Sequence, residues 1–597
     1  MSERSPDRFG LGRPLIDPSC GDSEDDASST KKRKLSALAG SLLAEISLTK
    51  FLTAWILLIG LPGLSLGLAP MVASAWLATV SNKFASVSGI GSLIALVIVA
   101  SIGLFGLRHL TRLVESTFWA LHSLAVQPVY VLIREVLAQI TEVEAGASEE
   151  QRGRQRAMTA AAAGIITCAM AALCVALVWP FTRWSASWAD LRTPLQLVTP
   201  ALANAVAIVG SYLAAASLIW GISDATMDQP MPLANLQDGG KSSDTSSKRT
   251  ADFRVAHLSD VHVVGERYGF RIESGRAGPR GNERLDRLFE VLASVHSKEP
   301  IDVLLLTGDM TDAGRLSEWA EFLERLSAYP MLAERMLILP GNHDVNVVDR
   351  SNPARLELPT SPGKQLRQMR TLSAMVSVQG DRAHVFDRNT TDIGPTLAAW
   401  IEPHRQTIAR FSDSARHYST QLADLWIGAF PQVIAPSAPD GIGVVILNSN
   451  AVSNFSFTNA LGLVPAEDVS ALRCIVSKFP RAGWIVAMHH HLVEYPMPVS
   501  EISERVGTAL INGTWFVRQL KPLADRIVIM HGHRHKDWMG RVGKLKIISA
   551  PSPVMGVLDA DPTYFYIHSI KTQMNAELHL APAQKVIIKG ASATEAA

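Results

Sequence analysis

Residues 253–262 read Phe253-Arg254-Val255-Ala256-His257-Leu258-Ser259-Asp260-Val261-His262, a short apolar run that stops at an Asp-x-His cluster. The same pattern recurs down the chain. Val303–Leu306 runs into Thr307-Gly308-Asp309, and Met336–Leu339 into Pro340-Gly341-Asn342-His343-Asp344. Trp484–Met488 runs into His489-His490-His491, and Ile527–Met530 into His531-Gly532-His533-Arg534-His535. Two further runs, Gly443–Leu447 and Leu545–Ile548, are likewise short and rich in β-branched or leucine residues. Between the first three, Leu285, Leu288, Phe289 and Leu292, then Leu316, Trp319, Leu323 and Leu326, recur at helical spacing. Short apolar runs alternating with helices predict an α/β domain with buried sheets.

In such folds ligands bind outside the carboxyl ends of the strands, which is where the polar clusters fall. Asp260 and His262, two apart on an extended segment, point to one side, and His533 and His535 repeat the arrangement. Mixed imidazole and carboxylate donors suit zinc, iron, manganese or similar divalent ions. Seven donors exceed what one four-coordinate ion needs, so two ions are expected. Gly308, Gly341 and Gly532 are expected to let the backbone turn tightly at the strand ends. Any one cluster alone reads as a turn, a cap or a surface patch. Five in this order, each closing an apolar run, do not arise by coincidence.

The ordered blocks Asp260-x-His262, Gly308-Asp309, Gly341-Asn342-His343-Asp344, a histidine at 489 and Gly532-His533-x-His535 resemble the calcineurin-like metallophosphoesterase superfamily. The wording of the first two blocks looks most like its bacterial cyclic-nucleotide and phosphodiester hydrolase branch. The resemblance implies a two-sheet sandwich flanked by helices and a two-metal phosphohydrolase, with hydroxide generated between the ions attacking phosphorus. Asp260, His262 and His535 would hold one metal, Asp309 would bridge, and Asn342, His489 and His533 would complete the second. His343 would face the substrate phosphate as the catalytic acid or phosphate stabiliser, with Asp344 orienting its ring. His489 is preferred because Val486-Ala487-Met488-His489 fits the family block; His490 is the fallback, and His491 a surface or substrate-side residue. The expected partner is a phosphoester, a phosphodiester or cyclic nucleotide first, a phospholipid or nucleotide-lipid pyrophosphate second. A ligand-binding sensor without activity is the reading from another class. The long stretch 345–480 is expected to be an insertion that selects substrate.

Upstream, the chain changes character. Its 597 residues are too many for one compact domain. Hydrophobic residues make up 47% and charged ones 19%, which excludes a disordered chain. The 56 basic and 55 acidic side chains leave a net charge of +1, so no nucleic-acid partner is indicated. Four scattered cysteines exclude a disulfide scaffold. Residues 1–50 are polar, with Lys31-Lys32-Arg33-Lys34, and are expected to be a disordered cytoplasmic segment. The region 51–221 is expected to be an all-α membrane region of about four helices, at about 51–79, 87–107, 157–179 and 196–220. Thr117–Ile133, which holds His122, Gln127 and Pro128, is read as an interfacial or amphipathic helix. Residues 222–250, with Gly239-Gly240-Lys241-Ser242-Ser243, are expected to be a flexible linker, and 251–597 the metallophosphoesterase domain. Basic residues cluster before the first span and between the second and third. That places the catalytic domain on the cytoplasmic side of a bilayer, expected to be a bacterial inner membrane.

Overall fold

The computed structural model describes residues 48–86, 122–141, 149–233, 253–265, 281–347, 357–358, 360–414, 417–452, 459–496, 510–556, 561–573 and 576–590, with single positions between them. Two compact units are present, one within Ala39–Met227 and one within Asp228–Ala597.

In the first unit three helices are long and apolar enough to cross a membrane: Leu61–Asn82, Gln151–Phe181 and Pro194–Ala225. The expected spans at 51–79, 157–179 and 196–220 fall on them, and 87–107 lies outside the described residues apart from two positions. Their outer faces carry exposed Trp76, Leu77, Ile165, Leu173 and Leu195. Inside, small residues let backbones touch. A Cβ on Gly164 would stand 2.8 Å from the Ser217 carbonyl oxygen, and one on Gly67 only 1.7 Å from that of Ala201. Such close approach is how helices associate where the surrounding solvent is lipid.

The stretch expected to be an interfacial or amphipathic helix, Thr117–Ile133, is helical from His122, and the helix runs on to Ile140. It is amphipathic with the polar side inward: Gln127, Tyr130 and Glu135 are buried, while Leu132, Val136 and Ile140 are exposed. Tyr130 Oη and Arg134 Nη1 both donate to Asp224 Oδ2, at 3.0 and 2.8 Å, so this helix packs along the last one.

The second unit has two sheets. The smaller joins β2 (Phe253–Leu258), β3 (Val303–Leu306) and β4 (Met336–Ile338) in parallel; β13 (Thr563–Thr572) pairs antiparallel with β2, and β14 (Leu578–Leu580) and β15 (Gln584–Ile588) with β13. The larger sheet contains β8 (Ile442–Ile446), β9 (Gly483–Ala487), β10 (Ile527–His531) and β12 (Leu545–Ser549) in parallel. Antiparallel strands complete it: β11 (Trp538–Val542) and β1 (Pro230–Pro232) on one side, β7 (Gln432–Ile434), β5 (His384–Asp387) and β6 (Asp392–Thr396) on the other. Val255, Leu304 and Leu337 of one sheet and Val444, Ile485 and Val528 of the other share one apolar core. The unit is an α/β fold of two sheets and helices, and all seven apolar runs are strands.

Two boundaries differ from expectation. The stretch 222–250 is not wholly linker, because the last apolar helix runs to Ala225 and Pro230–Pro232 pairs with β11. Two prolines mask this strand in the sequence, yet an edge position tolerates them because it needs few ladder donors. The region 345–480, expected to be an insertion, is built into the domain itself. Its Pro362–Gln379 helix is mostly buried, and it supplies β5, β6, β7 and β8 in succession to the larger sheet. The Gly239–Ser243 segment lies outside the described residues.

Candidate metal centre

The five polar clusters converge at the carboxyl ends of β2, β3, β9 and β10 and the end of β4. Past the end of β2 the chain stays paired with the chain past β3: Asp260 N donates to Gly308 O and His262 N to Asp309 O, both at 3.0 Å. The backbone there is not extended. Asp260, His262, Asp309, His533 and His535 have φ of 57°, 45°, 53°, 76° and 50°. Left-handed backbone costs a non-glycine residue about 1–3 kcal/mol and gathers at functional sites. The expectation that Asp260 and His262 share a side through β alternation is therefore corrected: left-handed turns aim them. The glycines need a similar correction. Only Gly308 has positive φ, at 99°, while Gly341 and Gly532 are needed for space. A Cβ on Gly341 would lie 2.1 Å from Asp309 Oδ1, and one on Gly532 1.7 Å from Ser259 Oγ.

Ligand atoms of Asp260, His262 and His535 lie within 4.8 Å of one another, as do those of Asp309, His489 and His533. His489 Nε2 is 3.2 Å from Asp309 Oδ2, 3.1 Å from Asn342 Oδ1 and 3.2 Å from His533 Nδ1. The protons can be placed from the partners. His489 Nδ1 is 2.8 Å from the Thr307 carbonyl and His533 Nε2 3.1 Å from the Thr508 carbonyl. A carbonyl only accepts, so those nitrogens donate and the opposite ones present lone pairs to the cluster. On the other side, His535 Nε2 is 3.2 Å from both Asp260 Oδ1 and His262 Nε2, and His262 Nδ1 faces Asp312 Oδ1 at 3.5 Å. Asp260 Oδ1 and Asp309 Oδ2 are buried with no hydrogen-bond donor. Facing lone pairs and undonated carboxylate oxygens repel one another unless a cation lies among them. The donor set fits divalent ions.

The electrostatics agree. Burial raises the Asp260 carboxyl, but His535 and His489 together outweigh it and hold it at about 2. Asp309 is likewise held well below its usual range, burial being outweighed by His489 and His343. Burial pulls the His489 imidazole down, yet Asp309 facing it leaves it raised. A field that favours a proton at His489 favours any cation there.

All eight expected site residues come together. His343 is only 6% exposed, and its ligand atom lies within 4.8 Å of those of His262 and Asp309. Asn342 and His343 sit in a single helical turn, Asn342–Val345, not on an extended segment. Asp344 does not orient His343 as expected. Its carboxylate accepts from Thr311 N, Thr311 Oγ1 and Gly341 N at 2.9, 2.7 and 2.9 Å, clasping two strand-end loops, while His343 Nδ1 donates to the Asp312 carbonyl at 2.7 Å. His490 is bonded to Ser449, and His491 is buried beside Glu494, not on the surface. Sequence reasoning passed over Asp312 and Ser449. Each lies in a polar cluster at a strand end, Gly308–Asp312 and Asn448–Asn450, which is the signal that could have found them.

Residues 253–398 match the model of the calcineurin-like phosphoesterase family. The match takes in Asp260, His262, Asp309, Asn342 and His343 and ends before His489. The second unit thus carries a calcineurin-like phosphoesterase domain, and the protein is a metal-dependent hydrolase whose cofactor is a pair of divalent metal ions. No curated protein matches the chain. Among solved structures it is similar to a dimetal phosphatase from Danio rerio, at 11% identity over 57% of this chain and 99% of that one, with a TM-score of 0.33. It is also similar to a phosphopantetheinyl hydrolase from Mycobacterium tuberculosis, at 11% identity over 51% and 92%, with a TM-score of 0.24. The family match, not these distant likenesses, carries the assignment.

Proposed function

We propose that this protein is a membrane-anchored phosphohydrolase that cleaves a phosphodiester, a cyclic nucleotide foremost. The observation that carries the phosphohydrolase reading is the pair of adjoining acceptor clusters meeting at Asp309. Asp260, His262 and His535 would hold one ion and Asn342, His489 and His533 the other, with Asp309 available to both. When bound, two divalent cations supply Lewis acidity and acidify water at neutral pH. The chain's own residues do the rest. Thr307, Thr508 and Asp312 orient the histidine rings. His343, its Nδ1 proton held on the Asp312 carbonyl, would as an imidazolium carry a second proton on Nε2, to transfer to the departing oxygen or to donate in a hydrogen bond to the phosphoryl group.

The preference for a diester rests on the likeness of the Asp260 and Asp309 blocks to that branch of the family. A second reading, a phospholipid or nucleotide-lipid pyrophosphate substrate, has one observation in its favour: only residues 226–229 separate the last apolar helix from β1. Purified full-length protein, stripped of metal and assayed against diesters, monoesters and pyrophosphates with each ion added back, tests both. Turnover of a cyclic nucleotide well above the other classes is expected. Turnover of lipid pyrophosphates alone would transfer the assignment to the second reading.

A further inference from the structure

Ser449 lies outside the signature blocks and outside the matched residues 253–398, yet its hydroxyl reaches the backbone of the site. After β8 the chain continues as Leu447-Asn448-Ser449-Asn450, and Ser449 is fully buried. Its Oγ accepts the main-chain N–H of His489 at 3.2 Å and of His490 at 3.1 Å. Those two bonds occupy its lone pairs, so its single hydrogen goes to His490 Nδ1, 2.9 Å away. The next residue braces a second loop, because Asn450 Nδ2 donates to the carbonyl of Pro340, two residues before Asn342. One strand end therefore supports the turns that carry both His489 and Asn342.

We infer that Ser449 is the positioning residue for the pocket of Asp309, Asn342, His489 and His533. The inference rests on reading His489 as a metal ligand. Ser449 holds the N–H of His489, Gly532 N donates to its carbonyl at 3.1 Å, and Thr307 takes its Nδ1 proton at 2.8 Å. With those three points fixed, Nε2 has one direction left, toward Asn342 and Asp309. Removing the hydroxyl leaves two buried N–H groups without an acceptor, and the turn shifts to find others. The hydroxyl makes no bond to Asp260, His262 or His535, so the other pocket keeps its geometry.

The test uses the full chain in detergent, stripped of metal and titrated with Mn²⁺. Bound metal is read by calorimetry and elemental analysis, and the ion pair by its spin-coupled resonance signal. Ser449→Ala is expected to bind the first ion with unchanged affinity and the second about 10–100-fold more weakly, the usual cost of losing an outer hydrogen bond to a metal ligand. Ser449→Thr, which keeps the hydroxyl, should restore the second affinity. Wild-type affinity for both ions in the alanine variant overturns the inference, as does equal weakening of both. If the alanine variant does not fold, Ser449→Cys repeats the test with a poorer acceptor, and failure of both to fold overturns it too. A parallel His489→Ala titration separates the two levels: two tightly bound ions in that variant would remove the ligand reading itself.

Discussion

Asp309 is the residue on which both pockets turn. Its Oδ2 lies 3.2 Å from His489 Nε2 and 3.9 Å from His262 Nε2, while Oδ1 accepts the backbone N–H of His343 at 2.8 Å. Asp309→Asn keeps the shape but removes the charge that draws two cations together. Metal content below two ions per chain and activity lower by orders of magnitude are expected by elemental analysis and assay; two ions with full activity would refute the bridge. His343→Ala should instead retain two ions and the fold. Proton donation is worth about 10²–10⁴ in rate, and more for poor leaving groups. Turnover should therefore drop steeply for alkyl or ribose esters and little for nitrophenyl esters. An equal drop with both would mean phosphate binding instead. A third residue acts away from the metals. Burial, with Asp312 nearby, pushes the Glu318 carboxyl up to about 8 from an ordinary 4.5. Below pH 4.5 it is protonated folded and unfolded alike and costs nothing. As pH rises the unfolded chain ionises first, so stability falls by up to about 1.4 kcal/mol per pH unit until the folded group also ionises near 8. Glu318→Gln keeps an acceptor for Ala313 N and Arg315 N, so thermal melts should show its advantage over wild type growing from pH 5 to pH 8. An advantage that does not change with pH would show that Glu318 is not a buried neutral acid.

At the level of elements, the site is made by what strands do after they end. The left-handed φ values at Asp260, His262 and Asp309 persist because β2 and β3 stay paired past their termini and Asp344 clasps the Thr311 and Gly341 loops. Ser552 Oγ adds a bond to the Asp260 carbonyl at 2.6 Å. Gly532 is the tightest point. A methyl group there would overlap Ser259 Oγ and stand 2.7 Å from Asp260 Oδ2. Gly532→Ala is expected to push Asp260 aside, weaken the first ion more than the second, and lower the melting temperature. Unchanged metal affinities with an unchanged melt would count against this packing. The seven apolar runs were legible because parallel strands are buried on both faces and read as unbroken Val, Ile and Leu. The antiparallel strands β5, β6 and β7 were not, being short and polar at an edge of the larger sheet.

Across the whole chain, helix packing bears on topology without the undescribed residues 98–118. Gly67 lies beside Ala201, and Trp188 Nε1 donates to Thr79 Oγ1, so the first long helix runs antiparallel to the last. Gly164 lies beside Gly221 and Gly210 beside Ala171, so the helix Gln151–Phe181 is antiparallel to the last as well. Leu48, Arg134 and Asp224 then fall at one end of the bundle, and Thr79 with residues 179–193 at the other. Whatever the path between Ser86 and His122, both ends of the helical unit share a face. We propose that this face is cytoplasmic, since Lys31, Lys32, Arg33 and Lys34 precede it and Arg134, Arg152, Arg154 and Arg156 lie on it. Reporter fusions after Leu38 and at the C-terminus should both report the cytoplasm, while one at Ser187 should report the opposite side. Opposite reports from the two ends would break the argument.

The sequence by itself determined the α/β class, the positions of the buried parallel strands, the long apolar helices and the residue types gathered at the strand ends. Those features are local: hydrophobic runs, helical spacing and donor chemistry are written in neighbouring residues. Only the tertiary structure decided how the donors are aimed. Left-handed turns at five candidate ligand positions depend on contacts between loops far apart in the chain, from Ser552 to Asp260 and from Asp344 to Thr311. The choice among His489, His490 and His491 likewise rests on Thr307 and Ser449, 182 and 40 residues away from His489. Which ring nitrogen faces inward is set by a carbonyl that no periodicity can place. Chemistry of this kind is chosen by residue type but placed by packing, because a hydrogen bond across such a distance exists only once the strands between have folded.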